Sequence, residues 1–510
     1  MPTVEQSFSP PEVISESEER FEKWRNRAGF VLAPAVFLLI WLLPFENLKP
    51  EAHRLAAIMA AVIVLWLCES LPMTVTALLG AACAVVFQVA PAKEVFAPFA
   101  DPLIFLFIGS FILARAIFIH RLDKRVAFTV LSRKFIGAKP SRILLAFGAV
   151  TAFISAWISN TATTAMMFAI GLSIISFLLA QERETGVKIN RVYATALMLM
   201  TSFAASIGGL MTPIGTPPNV IGIGFLRNLA GADVSFFKWM ILGVPIVVIL
   251  FLFLWFYLDK LAPAGVGEIK ESAEMLERER KKLGMWTRGQ KSVVIAFIVT
   301  VLLWTTPGLI ALFAGEQSTI YKILSTRIPE AVGAIIGASL LFILPGDAKS
   351  EKAITWNEAV KIDWGVIFLY GGGFALGVLS FQTGLAEAVG RGLTGLLPLS
   401  GGFALLAASV FVAILLSETT SNTASANMIV PVVIAIAQAQ GADPFIPALG
   451  ATFGASLGFM LPVSTPCNAI VYGSGYVPLK KMVKYGILLD IVGGIVIIAT
   501  VWTLGGFLRS

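Results

Sequence analysis

The chain alternates apolar stretches of about 20 residues with short polar or proline-bearing turns, and that is the length a helix needs to cross bilayer hydrocarbon. Unbroken stretches lie at about 29–45, 53–72, 73–92, 102–119, 236–258, 292–314, 329–345, 364–384 and 485–507. Four others are interrupted. Segments 141–180 and 401–439 break at Ser155–Thr164 (S-A-W-I-S-N-T-A-T-T) and Ser417–Ser425 (S-E-T-T-S-N-T-A-S), which predicts two helical hairpins. From Ser141 to Ser155 the first arm spans roughly 22 Å against roughly 30 Å of hydrocarbon, so its tip is expected to stop inside the membrane. Segments 192–224 and 443–475 break at Thr212–Asn219 (T-P-I-G-T-P-P-N) and Leu461–Asn468 (L-P-V-S-T-P-C-N), where proline removes a backbone donor and clashes with the preceding turn. The pattern predicts an all-α membrane protein of about 11 transmembrane helices and two re-entrant hairpins.

The broken segments recur in order. Ile104–Phe107 (I-F-L-F) matches Ile367–Tyr370 (I-F-L-Y), the two S-N-T tips match each other, and F-A-A-S-I-G from Phe203 matches F-G-A-S-L-G from Phe453. An odd number of spans separates the copies, so they face opposite ways through the bilayer, as in secondary transporters whose site lies where inverted repeats meet. The expected organisation is a cytosolic tail (1–28), scaffold helices (29–92), repeat 1 (102–258), a cytosolic linker (259–291), scaffold helices (292–345) and repeat 2 (364–507). The charge-rich linker reads as a solvated, partly helical connector.

Composition agrees: 57% of the 510 residues are hydrophobic and 14% charged. With the N-terminus in the cytosol, the predicted inside segments hold 29 of the 38 Lys and Arg, as the positive-inside rule requires, and the C-terminus falls outside. This predicts a multi-pass protein of the cell's inner or plasma membrane. The formal charge of +7 is explained by these orientation signals, and no aromatic–basic patch points to nucleic acid. Three cysteines in apolar surroundings and two histidines near span ends leave little material for catalysis, a disulfide framework or a His-based metal site.

What remains is the chemistry of helix ends. Ser, Asn and Thr suit the start of each hairpin's second arm, where free N–H groups and the helix dipole favour an anion. The first arm ends there with unpaired carbonyls, and Ser155 and Ser417 lie one turn back from Ser159 and Ser421, an oxygen set suited to Na⁺. At the breaks, Pro217 and Pro466 suit the start of a half-helix, while Gly215, Thr216, Ser464 and Thr465 are expected to expose unpaired backbone. Two such halves would hold a small dianion flanked by two cations. No Lys or Arg falls between Ile143 and Gln181 or between Gly401 and Gly441, so mobile cations would neutralise it; a third would move net charge. Glu418 is a candidate proton or cation partner, and Gly371–Gly373 reads as close helix packing, since no Lys-Ser/Thr follows as in a phosphate loop.

The paired S-N-T tips and paired T-P-x-N breaks resemble the divalent anion/sodium symporter family over nearly all of residues 29–507. The resemblance implies Na⁺-coupled transport of dicarboxylates or citrate by a homodimer, in which a mobile transport domain moves against a static scaffold like an elevator. By position, Ser155, Ser159, Asn160 and Gly215 resemble one Na⁺ site and Ser417, Ser421, Asn422 and Ser464 a second. Ser159, Asn160, Thr161, Thr216, Ser421, Asn422, Thr423, Thr465 and Pro466 resemble substrate contacts. Cys467 opposite Pro218, and Ser464 opposite Gly215, depart from internal symmetry and leave symport and exchange both open. The expected function is Na⁺-driven transport of a C4-dicarboxylate such as succinate, malate or fumarate. Exchange, and citrate or sulfate transport on the same fold, are the alternatives; an anion channel and an intramembrane enzyme are weaker ones.

Overall fold

The computed structural model describes residues 16–45, 48–133, 136, 139–185, 190–269, 272–347, 351–396 and 401–508. Its first half comprises α1 (Glu16–Leu42), α2 (Pro50–Cys68), α3 (Met73–Val86), α4 (Ala92–Phe96), α5 (Pro102–Ile119), α6 (Leu122–Leu131), α7 (Pro140–Ser155), α8 (Asn160–Thr185), α9 (Arg191–Gly208), α10 (Pro217–Ala230) and α11 (Phe236–Leu261). A linker helix, α12 (Ser272–Lys282), leads to the second: α13 (Arg288–Ala314), α14 (Thr319–Arg327), α15 (Glu330–Leu341), α16 (Trp356–Ala359), α17 (Trp364–Gln382), α18 (Leu385–Leu396), α19 (Gly402–Thr419), α20 (Asn422–Ala439), α21 (Phe445–Gly454), α22 (Pro466–Tyr472) and α23 (Leu479–Leu504). Among the described residues, 10 helices are long and apolar enough to cross a membrane, or 11 if α14 and α15, bent by 62°, form one span.

The element order shows more internal repetition than the sequence motifs do, because α1–α11 correspond one to one with α13–α23. Two crossings carry the correspondence into the expected scaffold. A Cβ on Gly109 of α5 would stand 2.6 Å from the Ala334 backbone of α15, and one on Gly372 of α17 would stand 2.7 Å from Ala77 of α3. Only glycine allows helices this close. Gly371 meets Phe99 and Gly373 meets Asn427, so the triple glycine serves packing.

Several boundaries differ from the sequence reading. The first helix starts at Glu16, inside the expected tail. The span expected at 73–92 is a 14-residue helix that ends at Val86, where Gln88 takes a positive φ ahead of Pro91, and the one expected at 329–345 is a 12-residue helix. In the first hairpin α8 runs to Thr185, 26 residues, and in the second each arm has 18. At 1.5 Å per residue these arms are about 27 Å or longer, so the short-arm argument holds for α7 alone. The linker is docked as well as helical. Ile269 and Leu276 are buried, and the Arg125 guanidinium donates to the carbonyls of Leu283, Gly284 and Met285 at 2.8–3.1 Å, satisfying orphan groups at the end of α12.

Burial sorts the helices by position. Every residue of α9 from Tyr193 to Gly208 is buried, whereas α1 and α13 bury few of their apolar side chains, as lipid-facing helices do. At the start of α5, Asp101 caps Leu103 N–H at 2.8 Å. It also receives Arg227 of α10 at 2.8 Å and the Tyr370 hydroxyl of α17 at 3.3 Å, binding the halves together.

Candidate functional site

Each hairpin tip is built as its residues require. Ser421 caps α20, accepting from Ala424 N–H at 3.2 Å, and Ser159 caps α8, accepting from Ala162 N–H at 3.4 Å. One turn back, the Ser155 hydroxyl donates to Asn160 Oδ1 at 2.7 Å. The matching Ser417 Oγ stands 2.8 Å from Asn422 Oδ1 and 2.9 Å from the Ala455 carbonyl, two acceptors for its one hydrogen. Ser155 and Ser417 are fully buried. Clustered oxygens of this kind are the donor type that a hard cation takes.

At the breaks, Thr216 and Thr465 take extended backbone as N-caps, and Pro217 and Pro466 open α10 and α22 as expected. The unwound turns are less open than the sequence suggested. Asn219 Nδ2 donates to the carbonyls of Gly209 and Thr212 at 2.9 and 2.8 Å, and Asn468 Nδ2 to those of Gly458 and Leu461, both at 2.9 Å. The last residue of each T-P-x-N motif is therefore a clamp that supplies the hydrogen bonds the broken helix lacks. Gly215 N–H is also engaged, at 3.3 Å from the Thr212 carbonyl. Gly215 packs so closely that a Cβ would stand 2.5 Å from the Gly209 carbonyl.

The halves interlock here. The Ser202 hydroxyl of α9 donates to Asn468 Oδ1 at 2.6 Å, α22 packs against α8 and α9, and α10 packs against α20 and α21. The buried Cys467 side chain neighbours Thr161, Thr164 and Ser206, so the second break is seated beside the first tip. Ser155, Ser159, Asn160, Thr161 and Gly215 are thereby grouped in one half, and Ser417, Ser421, Asn422, Thr423, Ser464, Thr465 and Pro466 in the other. Ser159, Thr161 and Pro466 are exposed. By contrast, the Ser421 hydroxyl donates to Met73 Sδ of α3 at 2.9 Å, so the second tip abuts the N-terminal helices.

One symmetric tie is made with different chemistry. In the first half Thr212 Oγ1 donates to the Ala156 carbonyl at 2.5 Å. In the second, Glu418 replaces Ala156: its carboxylate accepts from Met460 N–H at 2.8 Å, Leu461 N–H at 3.1 Å and Ser464 Oγ at 2.6 Å. The Ser464 hydroxyl is thus directed at Glu418. Sequence reasoning missed the two clamp asparagines, Ser202 and Asp490. The clamps were legible as the one side-chain amide kept at a fixed interval after each break, and Asp490 as the one acid in its apolar span. Among the described residues no three His, Cys, Asp or Glu side chains gather as metal ligands.

A family described as the sodium:sulfate symporter transmembrane region matches residues 25–509. The chain is 34% identical over 483 residues to the sodium-dependent dicarboxylate transporter SdcS of Staphylococcus saprophyticus, covering 93% of this chain and 91% of that one. It is likewise 34% identical over 490 residues to SdcS of Staphylococcus aureus, covering 93% and 90%. Two solved structures share its fold at 13% identity and a TM-score of 0.53. They are the Alcanivorax borkumensis YdaH transporter (81% of this chain, 86% of that one) and Neisseria gonorrhoeae MtrF (91% and 96%). The chain belongs to the sodium:sulfate symporter family, whose members are membrane transporters and not enzymes.

Proposed function

We propose that this protein couples the entry of Na⁺ to the transport of a small dicarboxylate such as succinate, malate or fumarate. The observation that carries this reading is the pair of matched Ser–Asn oxygen clusters, Ser155 with Asn160 and Ser417 with Asn422, set at two capped helix starts whose breaks interlock through Ser202 and Asn468. The oxygen clusters would take one Na⁺ each, with Ser159 and Gly215 completing the first set and Ser421 and Ser464 the second. The capped N-termini, with Thr161, Thr216, Thr423, Thr465 and Pro466 beside them, would take one carboxylate apiece. The hairpins would re-enter the membrane, and the site-bearing helices would move as a transport domain against scaffold helices within a homodimer. The SdcS relatives carry the same chemistry in their name, sodium-dependent dicarboxylate transport, which supports the reading.

Uptake of radiolabelled succinate into proteoliposomes, with and without an inward Na⁺ gradient, tests it. Uptake that needs the gradient is the expected result. Uptake that needs only internal dicarboxylate would make the protein an exchanger. Because the matched family is described by sulfate, competition with sulfate and with citrate in the same assay distinguishes those substrates.

A further inference from the structure

The two halves part company at one buried acid pair. Asp490, on α23, is 3% exposed, and no backbone N–H, hydroxyl or basic side chain makes a hydrogen bond to either of its carboxyl oxygens. The Phe459 amide lies near it without reaching hydrogen-bond geometry. Its close neighbour is the Glu418 carboxyl, itself 2% exposed and already holding Met460 N–H, Leu461 N–H and Ser464 Oγ. Two carboxylates cannot both stay ionised side by side in a dry interior; they either share a proton or hold a cation between them. Hairpin segment 401–441 carries no Lys or Arg to supply it.

The first half shows what this position looks like without the pair. Glu418 corresponds to Ala156 and Ser464 to Gly215. Gly243 and Gly486 each pack against the backbone just before their own half's break, which aligns α11 with α23 and places Val247 opposite Asp490. Ala156 and Val247 are buried and apolar, so the first half has no carboxylate at either place. In the second half the Glu418 carboxylate, its carbonyl (3.1 Å from Ser464 Oγ), the Ser464 hydroxyl and the Asp490 carboxylate form a set of hard oxygens beside the tip.

We propose that Glu418 and Asp490 form a Na⁺ site present in the second half alone, in addition to the matched pair at the tips. Resting on the transport reading above, the inference adds one translocated positive charge per dicarboxylate, and it makes the halves unequal in charge.

The test is the number of charges moved per succinate, read from the membrane potential at which flux through proteoliposomes reverses, for the wild type and for Asp490→Asn and Glu418→Gln. The wild type is expected to couple three Na⁺ to each succinate if each tip holds one, and each variant one fewer. Equilibrium binding of ²²Na⁺ to the purified proteins checks the same loss of one ion where a variant transports too slowly. An unchanged charge ratio in both variants overturns the inference. So does a wild-type ratio that follows the proton gradient in place of the Na⁺ gradient, since the pair then holds a proton. Absence of Na⁺-driven uptake in the wild type would instead sink the transport reading itself.

Discussion

Ser202 Oγ donates to Asn468 Oδ1 at 2.6 Å, tying the central helix of the first half to the break of the second. The reciprocal tie does not exist. Thr452, which matches Ser202, turns its hydroxyl to the Ala448 carbonyl of its own helix at 2.7 Å, and Asn219 Oδ1 is left buried without a partner. Ser202→Ala is therefore expected to cost about 1–3 kcal/mol, since it strands a buried acceptor, whereas Thr452→Ala removes only a back-bond and is milder. Thermal unfolding of the purified variants gives the order.

Asn219→Ala and Asn468→Ala each leave one carbonyl at a break unpaired, that of Gly209 or Gly458, because the Thr212 and Leu461 carbonyls keep the Gly215 and Ser464 amides. At about 1–3 kcal/mol per stranded group, both are expected to lower the melting temperature sharply and to abolish uptake. Wild-type uptake by either variant would mean the breaks hold without their clamps.

Gly109→Ala places a methyl 2.6 Å from the Ala334 backbone, and Gly372→Ala places one 2.7 Å from Ala77. Overpacking of this kind costs about 1–3 kcal/mol, so a lower yield of monodisperse protein in size-exclusion chromatography is expected from each. Gly392→Ala, in helix α18 with open space around it, is the control and should be neutral or stabilising by about 0.5–1 kcal/mol.

Ser159→Ala and Ser421→Ala remove an oxygen from each tip and also a helix cap, a loss of about 1 kcal/mol each. Both are predicted to raise the Na⁺ concentration for half-maximal uptake. A Na⁺ titration unchanged in both would take these hydroxyls out of the cation sites.

Asp123, on α6 in the predicted cytosolic region, is pushed up from 3.8 to about 6 by burial, against the pull of nearby Lys124 and Arg121. A carboxyl raised in the fold favours the protonated folded state, so stability is fullest below its ordinary range and falls as pH climbs from about 4 to 6. A shift of this size is worth up to about 3 kcal/mol. Asp123→Asn is expected to raise the melting temperature at pH 8 and leave it nearly unchanged at pH 4; equal effects at both would exclude the titration.

The tips and breaks were legible because their residue types are conspicuous in apolar surroundings: S-N-T and T-P-x-N stand out against Leu, Ile and Val. The correspondence of α3 with α15 was not, because it rests on Gly109 meeting Ala334 and Gly372 meeting Ala77, small residues common in any membrane span. The short first arm was legible, since Ser141–Ser155 lies within α7, but apolar continuity cannot show where a helix frays into its loop, and α8 runs to Thr185. Glu418 was visible as a lone intramembrane acid; its pairing with Asp490 joins residues 72 positions apart and needed the packing of α23 on α19.

Because Asn219 and Asn468 fasten the unwound turns from within the chain, the shape of those turns does not wait for a visitor to impose it. An arriving solute would meet a mould already set and would lose little of its binding free energy to ordering the backbone. Selectivity among anions would then come from fit to a fixed outline, and exchanging residues on its rim should alter which guest is accepted more readily than how the host folds.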